Sequence, residues 1–590
     1  MEKKKFSLWP YVLRYKWHYM AGILILIIVD LAGLYVPQYT GEIIDGLSEG
    51  TLGMDGVKML LLKLLVVGVT MVLCRVGWRF FINGSARGIE YHLRNDMFGH
   101  LETLSARYFN HHKTGDLMAH FTNDLQAVRM AVGHAVIAAF DAVVMTIMVL
   151  VKMALYVDVK LMLVAFIPMT LVAVGCYFYA KESKKRQLAR QKAFSGLSDK
   201  VQESLAGVRV LKAFVQEEKD YQAFEEYSLN NMEKNLAVVK LRAIFHPILD
   251  TITGISMLLT LIVGGKMVLD GRIGVGQYVA FNSYIGMLVW PMIACGDSVN
   301  TFSQAAAAFQ RIAAIFREEP DILDKAIFDE ETQEIAGEIE LKNLTFAYPD
   351  SDIPVLKNIN LHVQKGEMLG ILGRTGSGKS TLADLLLRVY DCEEGTLLID
   401  GKPITSYSLA VLRKDMAYVP QDNFLFSDTL EENIAFGLEE RIEDNPALRQ
   451  SIEQAAKDAC IHDNIMEFPG GYGTLVGERG VTLSGGQKQR SSIARALLKN
   501  ASILILDDSL SAVDTDTEEQ ILDNLLRLRE GKTTIVIAHR ISTLQKADHV
   551  AVLTEGELTE YGTHEELMAL GGFYAHIYEK QQLEQELTKL

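Results

Sequence analysis

Six long apolar segments occupy the first half of the chain. They lie at about residues 20–37, 59–82, 134–156, 160–180, 246–269 and 277–299. A helix rises about 1.5 Å per residue, so about 20 apolar residues cross a hydrocarbon layer about 30 Å thick. The pattern therefore predicts six membrane-spanning helices.

Two long polar stretches between these segments are helical in pattern. Residues 84–131 and 182–244 contain few Gly or Pro residues, so we expect helices that continue past the bilayer rather than loops. Lys and Arg cluster at the start of the chain and after the fourth segment, whereas the loop 42–57 has acidic residues and no basic one. Because positive charge stays on the cytoplasmic side, both chain ends and both polar stretches are predicted to be cytoplasmic. The start of the chain has the pattern of neither a cleaved signal peptide nor an organelle transit peptide, so a plasma membrane of bacterial type is expected.

The second half of the chain has a different pattern. Short β-branched or aliphatic runs, such as 339–346 and 503–506, alternate there with helical patterns. This alternation predicts a largely parallel sheet with helices packed on it. The predicted domains are a membrane domain at 1–317, an acidic linker at 318–337, an α/β domain at 338–575 and a helical tail at 576–590.

Charge and cysteine usage exclude two classes of function. The net charge of −16 opposes nucleic-acid binding, for which a basic surface is needed. The five cysteines are scattered and form no CxxC pair, so neither a disulfide framework nor a zinc site is expected.

A glycine-rich loop carries the strongest chemical signal. Residues 373–381 (GRTGSGKST) fit GxxxxGK[ST] between a predicted strand and a predicted helix, which disfavours a chance glycine-rich turn. Lys379 is expected to bridge the β- and γ-phosphates of ATP, and the Ser380 hydroxyl to hold Mg²⁺. The expected ATP-binding residues of this phosphate loop are Gly373, Thr375, Gly376, Ser377, Gly378, Lys379, Ser380 and Thr381. The fold class that follows is an all-α membrane domain joined to an α/β P-loop NTPase domain.

A second motif ends an apolar strand in two carboxylates. Residues 503–506 (ILIL) precede Asp507 and Asp508. A buried strand that ends in a carboxylate suits a magnesium-associated aspartate, the Walker B position, so Asp507 is assigned to Mg²⁺. Asp508 lies where a general base for the attacking water is expected.

A third motif, LSGGQ at 483–487, identifies a family. Alone it is also compatible with a Ser/Gly turn before a helix. Together with the other two motifs it resembles the signature of ATP-binding cassette (ABC) proteins. The resemblance implies that this signature segment (Ser484, Gly485, Gly486 and Gln487) caps the γ-phosphate of an ATP held by a second cassette, so that one cassette is half a site.

Further residues take roles that the resemblance implies. Tyr348 corresponds to the aromatic residue that stacks on adenine, and Gln421 to the glutamine that touches Mg²⁺ and faces the membrane domain. Glu478 lies in the short marker before the signature segment, and Asp514 in a segment that communicates between the two sites. His539 corresponds to the switch histidine that senses the γ-phosphate; a lone histidine is otherwise more often structural.

The layout of the whole chain is similar to that of half-size multidrug exporters. Residues 108–125 and 206–210 resemble the two cytoplasmic coupling regions of such exporters. The resemblance implies alternating-access export of small amphipathic compounds from a lipid membrane. The alternatives are a lipid flippase or a homodimeric exporter, an importer with the exporter fold, and an ATP-gated regulator or channel.

One residue departs from the family pattern. The position after the Walker B aspartate usually holds Glu, and here it holds Asp508, whose side chain is one methylene shorter. The residues themselves indicate only a displaced base. Together with the intact LSGGQ, this change resembles the weaker-site half of heterodimeric multidrug exporters, and the resemblance implies a different half-exporter with Glu at this position as the partner. A misplacement of about 1 Å can cost on the order of 100-fold in rate.

Charged residues within the apolar segments are candidates for the substrate pathway. An ionisable group in hydrocarbon costs at least about 2.5 kcal/mol, so it must pair, snorkel or face a cavity. Asp141 lies deep in the third segment and is our candidate for contact with a cationic substrate; helix–helix pairing is the alternative.

Overall fold

Long helices build the first part of the molecule. The computed structural model describes residues 6–324, 334–440, 442, 445–477 and 483–589. The chain divides into a membrane unit (Met1–Thr103 and Phe109–Glu319) and a cassette unit (Leu104–Tyr108 and Pro320–Leu590). The first eleven helices are α1 Trp9–Arg14, α2 Lys16–Ser48, α3 Met54–Thr103, α4 Ala106–His111, α5 Thr114–Ala119, α6 Leu125–Met130, α7 Val136–Tyr156, α8 Val159–Ala206, α9 Val208–Ala213, α10 Glu217–Leu269 and α11 Val275–Ile315.

Six helical segments are long and apolar enough to cross a membrane. Within the described residues these are α2, α3, the segment from α5 to α7, α8, α10 and α11, and they contain all six predicted spans. In the third, the π-helical turns His120–Asp124 and Ala131–Ala135 join α5, α6 and α7. The longest helix, α10, has 53 residues and is therefore about 80 Å long. The prediction that helices continue past the bilayer is confirmed.

Close backbone contact joins α2 to α11. A Cβ atom on Gly41 would lie 2.5 Å from the carbonyl oxygen of Gly276, so glycine is required where the two helices meet. The carboxylate of Asp45 accepts hydrogen bonds from the N–H groups of Gly276 (2.6 Å) and Gln277 (3.2 Å). These are orphan donors at the start of α11, so Asp45 caps that helix from a neighbouring one.

Two sheets form the centre of the cassette unit. The strands are β1 Ile339–Phe346, β2 Leu356–Val363, β3 Met368–Gly373, β4 Leu397–Ile399, β5 Lys402–Pro403, β6 Met416–Val419, β7 Ile503–Asp507, β8 Thr533–Ile537, β9 His549–Thr554 and β10 Glu557–Gly562. The larger sheet has the order β10-β9-β3-β8-β7-β6 and is parallel except for β10, as predicted. The smaller sheet, β2-β1-β4-β5, is antiparallel and was not predicted.

Helices cover both faces of the larger sheet. They are α12 Lys379–Leu386, α13 Leu409–Lys414, α14 Leu430–Ala435, α15 Leu448–Asp458, α16 His462–Glu467, α17 Gly485–Lys499, α18 Thr515–Leu528, α19 Ile541–Leu544, α20 His564–Leu570 and α21 Phe573–Lys589. Alternate residues of β7 enter different cores: Ile503 and Ile505 join one apolar cluster, and Leu504 and Leu506 join the other. This two-sided burial explains why the strand is continuously apolar. Helix α21 contains most of the predicted helical tail.

Candidate functional site

The phosphate loop connects a buried strand to the first turn of a helix. All six residues of β3 are buried, and Gly378 is the N-cap of α12. Gly376 and Gly378 have φ angles of +82° and +98°, which disfavour any side chain. A Cβ atom on Gly378 would also lie 2.6 Å from the Cδ2 atom of Leu356. The loop has the backbone shape that lets N–H groups converge on an anion at a helix N-terminus.

Lys379 lies within this loop. Its side chain is buried, and its Nζ donates to the carbonyl oxygens of Gly373 (2.8 Å) and Arg374 (3.0 Å). Burial lowers the pKa of the ammonium group, and the carboxylates of Asp507 and Asp508 offset part of that shift. The structure thus places one cation close to two carboxylates that are more than 120 residues away in sequence.

The other predicted loop residues differ in exposure. Thr375, Gly376 and Ser380 are exposed, whereas Ser377 and Thr381 are buried. The Ser377 hydroxyl has no hydrogen-bond partner within the described part of the chain. A buried hydroxyl without a partner is costly, and a phosphate oxygen would satisfy it. This observation fits an anionic ligand.

Tyr348 lies beside the start of α12. Its hydroxyl is hydrogen-bonded to the Thr381 hydroxyl at 2.9 Å, and its ring packs edge-on against Tyr390, with centroids 5.1 Å apart. The ring is half-buried. The aromatic residue that the sequence assigned to adenine is thus linked to the phosphate-loop helix.

The Walker B strand ends next to the phosphate loop. Asp507 is 3 % exposed at the end of β7, and Asp508 follows with a φ angle of +46°, which is unusual for a residue with a side chain. Its N–H donates to Ile537 (2.9 Å), and its carboxylate accepts from Nε2 of Gln421 (3.4 Å). Burial raises the pKa of the Asp508 carboxyl, and the neighbouring His539 offsets part of that shift. Asp508 therefore neighbours both Gln421 and His539.

The two predicted residues next to Asp508 are both exposed to solvent. Gln421 and His539 both have exposed side chains, and His539 lies two residues beyond β8. A cleft of about 530 Å³ adjoins Gln421 and is also lined by Phe424, Gly485 and Lys488. The candidate base is therefore bordered by side chains that a ligand or another protein surface can reach.

The signature segment caps a helix. Ser484 and Gln487 form a capping box at the start of α17: the Gln487 N–H donates to the Ser484 hydroxyl (3.3 Å), and the Ser484 N–H donates to the Gln487 side chain (2.9 Å). Within the described part of the cassette, no hydrogen bond connects this segment to Lys379 or Asp507. The Ser/Gly turn noted from sequence is therefore real, and the segment is separate from the phosphate loop of the same chain.

The communication segment, residues 511–514, packs on the signature helix α17. The Gln489 side chain accepts from the N–H of Ala512 (3.0 Å) and donates to the Ser511 hydroxyl (3.4 Å). Asp514 caps α18 through the N–H of Thr517 (3.0 Å). Sequence reasoning missed Gln489; its signal was a polar residue on the apolar face of α17, four residues before Ile493. Glu478 lies outside the described residues.

Sequence reasoning also missed a pair of residues, Arg540 and Glu518, that supports the communication segment. Arg540 forms an ion pair with the buried Glu518 and donates to the carbonyl oxygens of Val513 (3.3 Å) and Ser511 (3.5 Å). Arg540 directly follows His539, so hydrogen bonds connect the communication segment to the segment that carries His539.

The oxygen-bearing side chains near the phosphate loop suit a Mg²⁺ ion that is also bound by phosphate oxygens. The candidates are the Asp507 carboxylate, the Ser380 hydroxyl and the Gln421 amide. Groups of three or more His, Cys, Asp or Glu residues able to hold a metal are absent from the residues that the structure describes. Mg²⁺ commonly takes one or two carboxylates together with substrate phosphates, so this donor set fits it.

The membrane unit contains a polar cavity of about 1030 Å³. Its walls come from α8, α10 and α11 with part of the third span, and include Lys184, Leu188, Arg190, Phe194 and Arg311. Sequence reasoning missed this cavity, although polar residues at helical i, i+4 spacing mark its walls on α8: Ser183, Gln187 and Gln191. The lining combines cationic, amide and apolar groups.

Asp141 lies elsewhere in the membrane unit. It is on α7, and one of its carboxyl oxygens is buried without a hydrogen-bond partner among the described residues; the same holds for Asp30 on α2. The two side chains are close enough to interact electrostatically. The structure therefore brings together two intramembrane carboxyl groups, of which the sequence analysis nominated one.

Comparison with known proteins gives consistent matches over both units. Residues 19–292 match a family model described as "ABC transporter transmembrane region", and residues 356–511 match one described as "ABC transporter". The chain is 38% identical over 575 residues to "Multidrug resistance-like ATP-binding protein MdlA" of Escherichia coli (strain K12), covering 97% of this chain and 96% of that protein. It is 37% identical over 565 residues to "Probable multidrug resistance ABC transporter ATP-binding/permease protein YheI" of Bacillus subtilis (strain 168), covering 96% and 95%.

A solved structure is similar over almost the whole chain. It is described as "Structure of a bacterial Atm1-family ABC exporter with ATP bound". It is 26% identical in sequence, has a TM-score of 0.77, and covers 96% of this chain and 98% of that one. The arrangement of a membrane domain followed by one cassette is thus shared with a solved ATP-bound exporter.

Proposed function

This chain belongs to the ABC transporter family as a half-transporter, and from that premise we propose that it exports amphipathic compounds as one subunit of an asymmetric heterodimer. It is a multi-pass plasma-membrane protein that hydrolyses ATP to drive export. The partner, the substrate class and the role of each site residue are the proposed part.

We assign a role in the ATP site to residues of this chain and to the signature segment of the partner. Lys379 neutralises the β- and γ-phosphates of the substrate ATP, and Tyr348 packs on its adenine. Mg²⁺, when bound, would be held by Ser380, Asp507 and Gln421 and would neutralise developing phosphate charge. His539 touches the γ-phosphate and thereby distinguishes ATP from ADP. The signature segment of the partner completes this site, and Ser484–Gln487 here completes the partner's site.

The identity of Asp508 is the observation that carries the heterodimer proposal. Its carboxylate must align a water for attack, and it is one methylene shorter than the glutamate usual at this position. The Gln421 side chain approaches it at 3.4 Å, a long hydrogen bond that suits a retracted acceptor. A productive partner site with an intact signature segment from this chain explains why Ser484–Gln487 retains the LSGGQ sequence while Asp508 departs from the family pattern.

The cavity of the membrane unit supports the substrate class. Apolar side chains (Leu188, Phe194) lie among cationic and amide side chains in its walls. A compound with an apolar body and a polar end matches such a lining better than a purely hydrophilic solute does. The cavity lies among the helix segments that extend past the apolar runs, whereas Asp141 lies inside the third apolar run and stays our candidate for a cation contact within the membrane.

The heterodimer is tested by expressing two differently tagged copies of this chain in its native cells. Purification through the first tag is expected to recover a second half-transporter in equal amount, with Glu after its Walker B aspartate, and not the copy with the second tag. Recovery of both tagged copies in one fully active ATPase would overturn the proposal.

Export is tested in inside-out membrane vesicles that contain the assembled transporter. ATP-dependent accumulation of amphipathic fluorescent dyes is expected, with no accumulation in the presence of ADP. Flipping of labelled phospholipid without dye uptake would instead favour the flippase alternative, and dye loss from loaded vesicles would favour import.

A further inference from the structure

The C-terminal helix contacts the backbone on both sides of Arg540. In α21, the side-chain amide of Gln581 donates from Nε2 to the carbonyl oxygen of His539 (2.8 Å) and accepts at Oε1 from the N–H of Ile541 (2.9 Å). Both donor–acceptor distances are typical of hydrogen bonds, and each bond joins residues that are 40 or more positions apart in the sequence. One side chain therefore fixes the peptide groups immediately before and after Arg540.

Helix α21 is anchored independently of Gln581. The Glu560 carboxylate accepts from the N–H groups of Phe573 (2.5 Å) and Tyr574 (3.2 Å), which caps the start of the helix. The Tyr574 ring is fully buried, and its hydroxyl is hydrogen-bonded to His564 (2.8 Å). Gln581 thus extends from a fixed helix and provides a rigid attachment for the segment that it holds.

The same helix also reaches the phosphate loop. The guanidinium group of Arg374 lies over the Phe573 ring, 5.5 Å from its centroid. Eight residues separate Phe573 from Gln581, which is about 12 Å along a helix. Helix α21 therefore spans from the phosphate loop to the segment that carries His539.

We propose that Gln581 is a positioning residue for ATP recognition: its amide holds the backbone of His539 so that the imidazole reaches the γ-phosphate. The inference rests on the proposed role of His539 and adds to it a positioning residue from the C-terminal helix. The exposed His539 ring has little packing of its own to fix it, so the backbone hydrogen bond sets its position.

The chemistry of the contact is selective for an amide. The backbone presents one acceptor, the His539 carbonyl, and one donor, the Ile541 N–H, and a glutamine side chain supplies the complementary pair. Glutamate has nearly the same volume but offers no donor when ionised, so it would turn an oxygen toward the His539 carbonyl. A packing role would tolerate that exchange, whereas a positioning role would not.

The test measures how well this chain distinguishes ATP from ADP. The purified, assembled transporter is titrated with 8-azido-[α-³²P]ATP or 8-azido-[α-³²P]ADP in the presence of Mg²⁺, irradiated on ice, and the label on this chain is quantified after gel separation. Gln581→Ala and Gln581→Glu are each expected to lower the ATP-over-ADP preference about tenfold, which corresponds to about 1.4 kcal/mol, with ADP affinity unchanged. Gln582→Ala is the matched control, because Gln582 is exposed on the same helix and, among the described residues, its side chain bonds only to Tyr578 (2.7 Å).

Three outcomes are informative. An unchanged preference in Gln581→Glu, or an equal loss of ATP and ADP labelling in both Gln581 variants, would show a packing role and overturn the inference. His539→Ala separates the two levels of the argument: if it also leaves the preference unchanged, the proposed role of His539 is wrong. If His539→Ala abolishes the preference and the Gln581 variants keep it, only the inference about Gln581 fails.

Discussion

Replacing Gly486 by alanine tests the contact between the signature segment and the communication segment. A Cβ atom on Gly486 would lie 2.8 Å from the carbonyl oxygen of Ala512, whereas one on Gly485 would meet only the Ala512 Cβ at 3.8 Å. Carbon–oxygen contacts of this kind are about 3.3 Å or longer, so the start of α17 must move by about 0.5 Å. Ala512 cannot retreat freely, because its N–H is held by Gln489.

This displacement sets the expected loss of activity. If about 1 Å of misplacement costs on the order of 100-fold, half of that costs about tenfold. We therefore expect Gly486→Ala to reduce steady-state ATP hydrolysis of the assembled transporter about tenfold at saturating ATP. Gly485→Ala gives the same gain in helix propensity without this clash, so it should lose markedly less activity than Gly486→Ala. Equal losses in the two variants, or full activity in Gly486→Ala, would refute the reasoning.

Three further predictions follow from other parts of the molecule. Lys379→Ala should abolish ATP-dependent dye uptake into inside-out vesicles at an unchanged membrane level of protein. It removes the cation directed at the β- and γ-phosphates, so this site no longer holds the ATP that closes the two cassettes, although most hydrolysis occurs at the other site. Wild-type uptake would contradict the assignment. Asp141→Asn should change the relative transport of cationic and neutral substrates more than it changes basal ATPase activity; identical relative transport would make Asp141 structural. Asp514→Ala should lower the thermal unfolding midpoint at pH 7, because it removes the cap of α18. The hydrogen bond from the Thr517 N–H holds the pKa of the Asp514 carboxyl below its usual range. The stabilisation from this carboxylate is therefore present above about pH 3.9 and is lost as the pH falls through the lower pKa of the folded state. The wild type and the variant should therefore converge in strong acid, and a difference that persists there would contradict the capping role.

Local sequence patterns were sufficient for most of the fold. The apolar runs and the Lys/Arg distribution predict the six spans, because a bilayer imposes length and charge rules that act on contiguous residues. Continuous apolar strands such as β7 predict the parallel sheet. The antiparallel sheet was missed because the run at 339–346 was counted toward the parallel sheet, although it is β1 of the antiparallel one. In addition, β4 and β5 have only three and two residues, too few to show an alternation.

For the candidate site, too, the sequence predicted the features that depend on neighbouring residues and missed those that depend on tertiary contacts. Residues inside motifs, such as Lys379 and Asp508, were nominated because neighbouring residues in the sequence identify their roles. Gln489 and Gln581 were missed, since each acts on a backbone 23 to 42 residues away that only folding brings near. The cavity in the membrane unit was missed for a related reason: its walls come from several helices, and its volume depends on their packing.

The asymmetry of the two ATP sites is the central claim, and ATPase rates of paired variants test it most directly. Ser484→Ala should cripple turnover of the assembled transporter, because it damages the γ-phosphate cap of the productive site. Thr563→Ala controls for the lost helix cap, since it removes a capping box of the same geometry from α20 and should leave turnover nearly intact. Asp508→Asn should also preserve most of the turnover, because its own site contributes little. If Asp508→Asn abolishes hydrolysis as completely as Ser484→Ala does, Asp508 is a competent base and the account of an asymmetric transporter is contradicted.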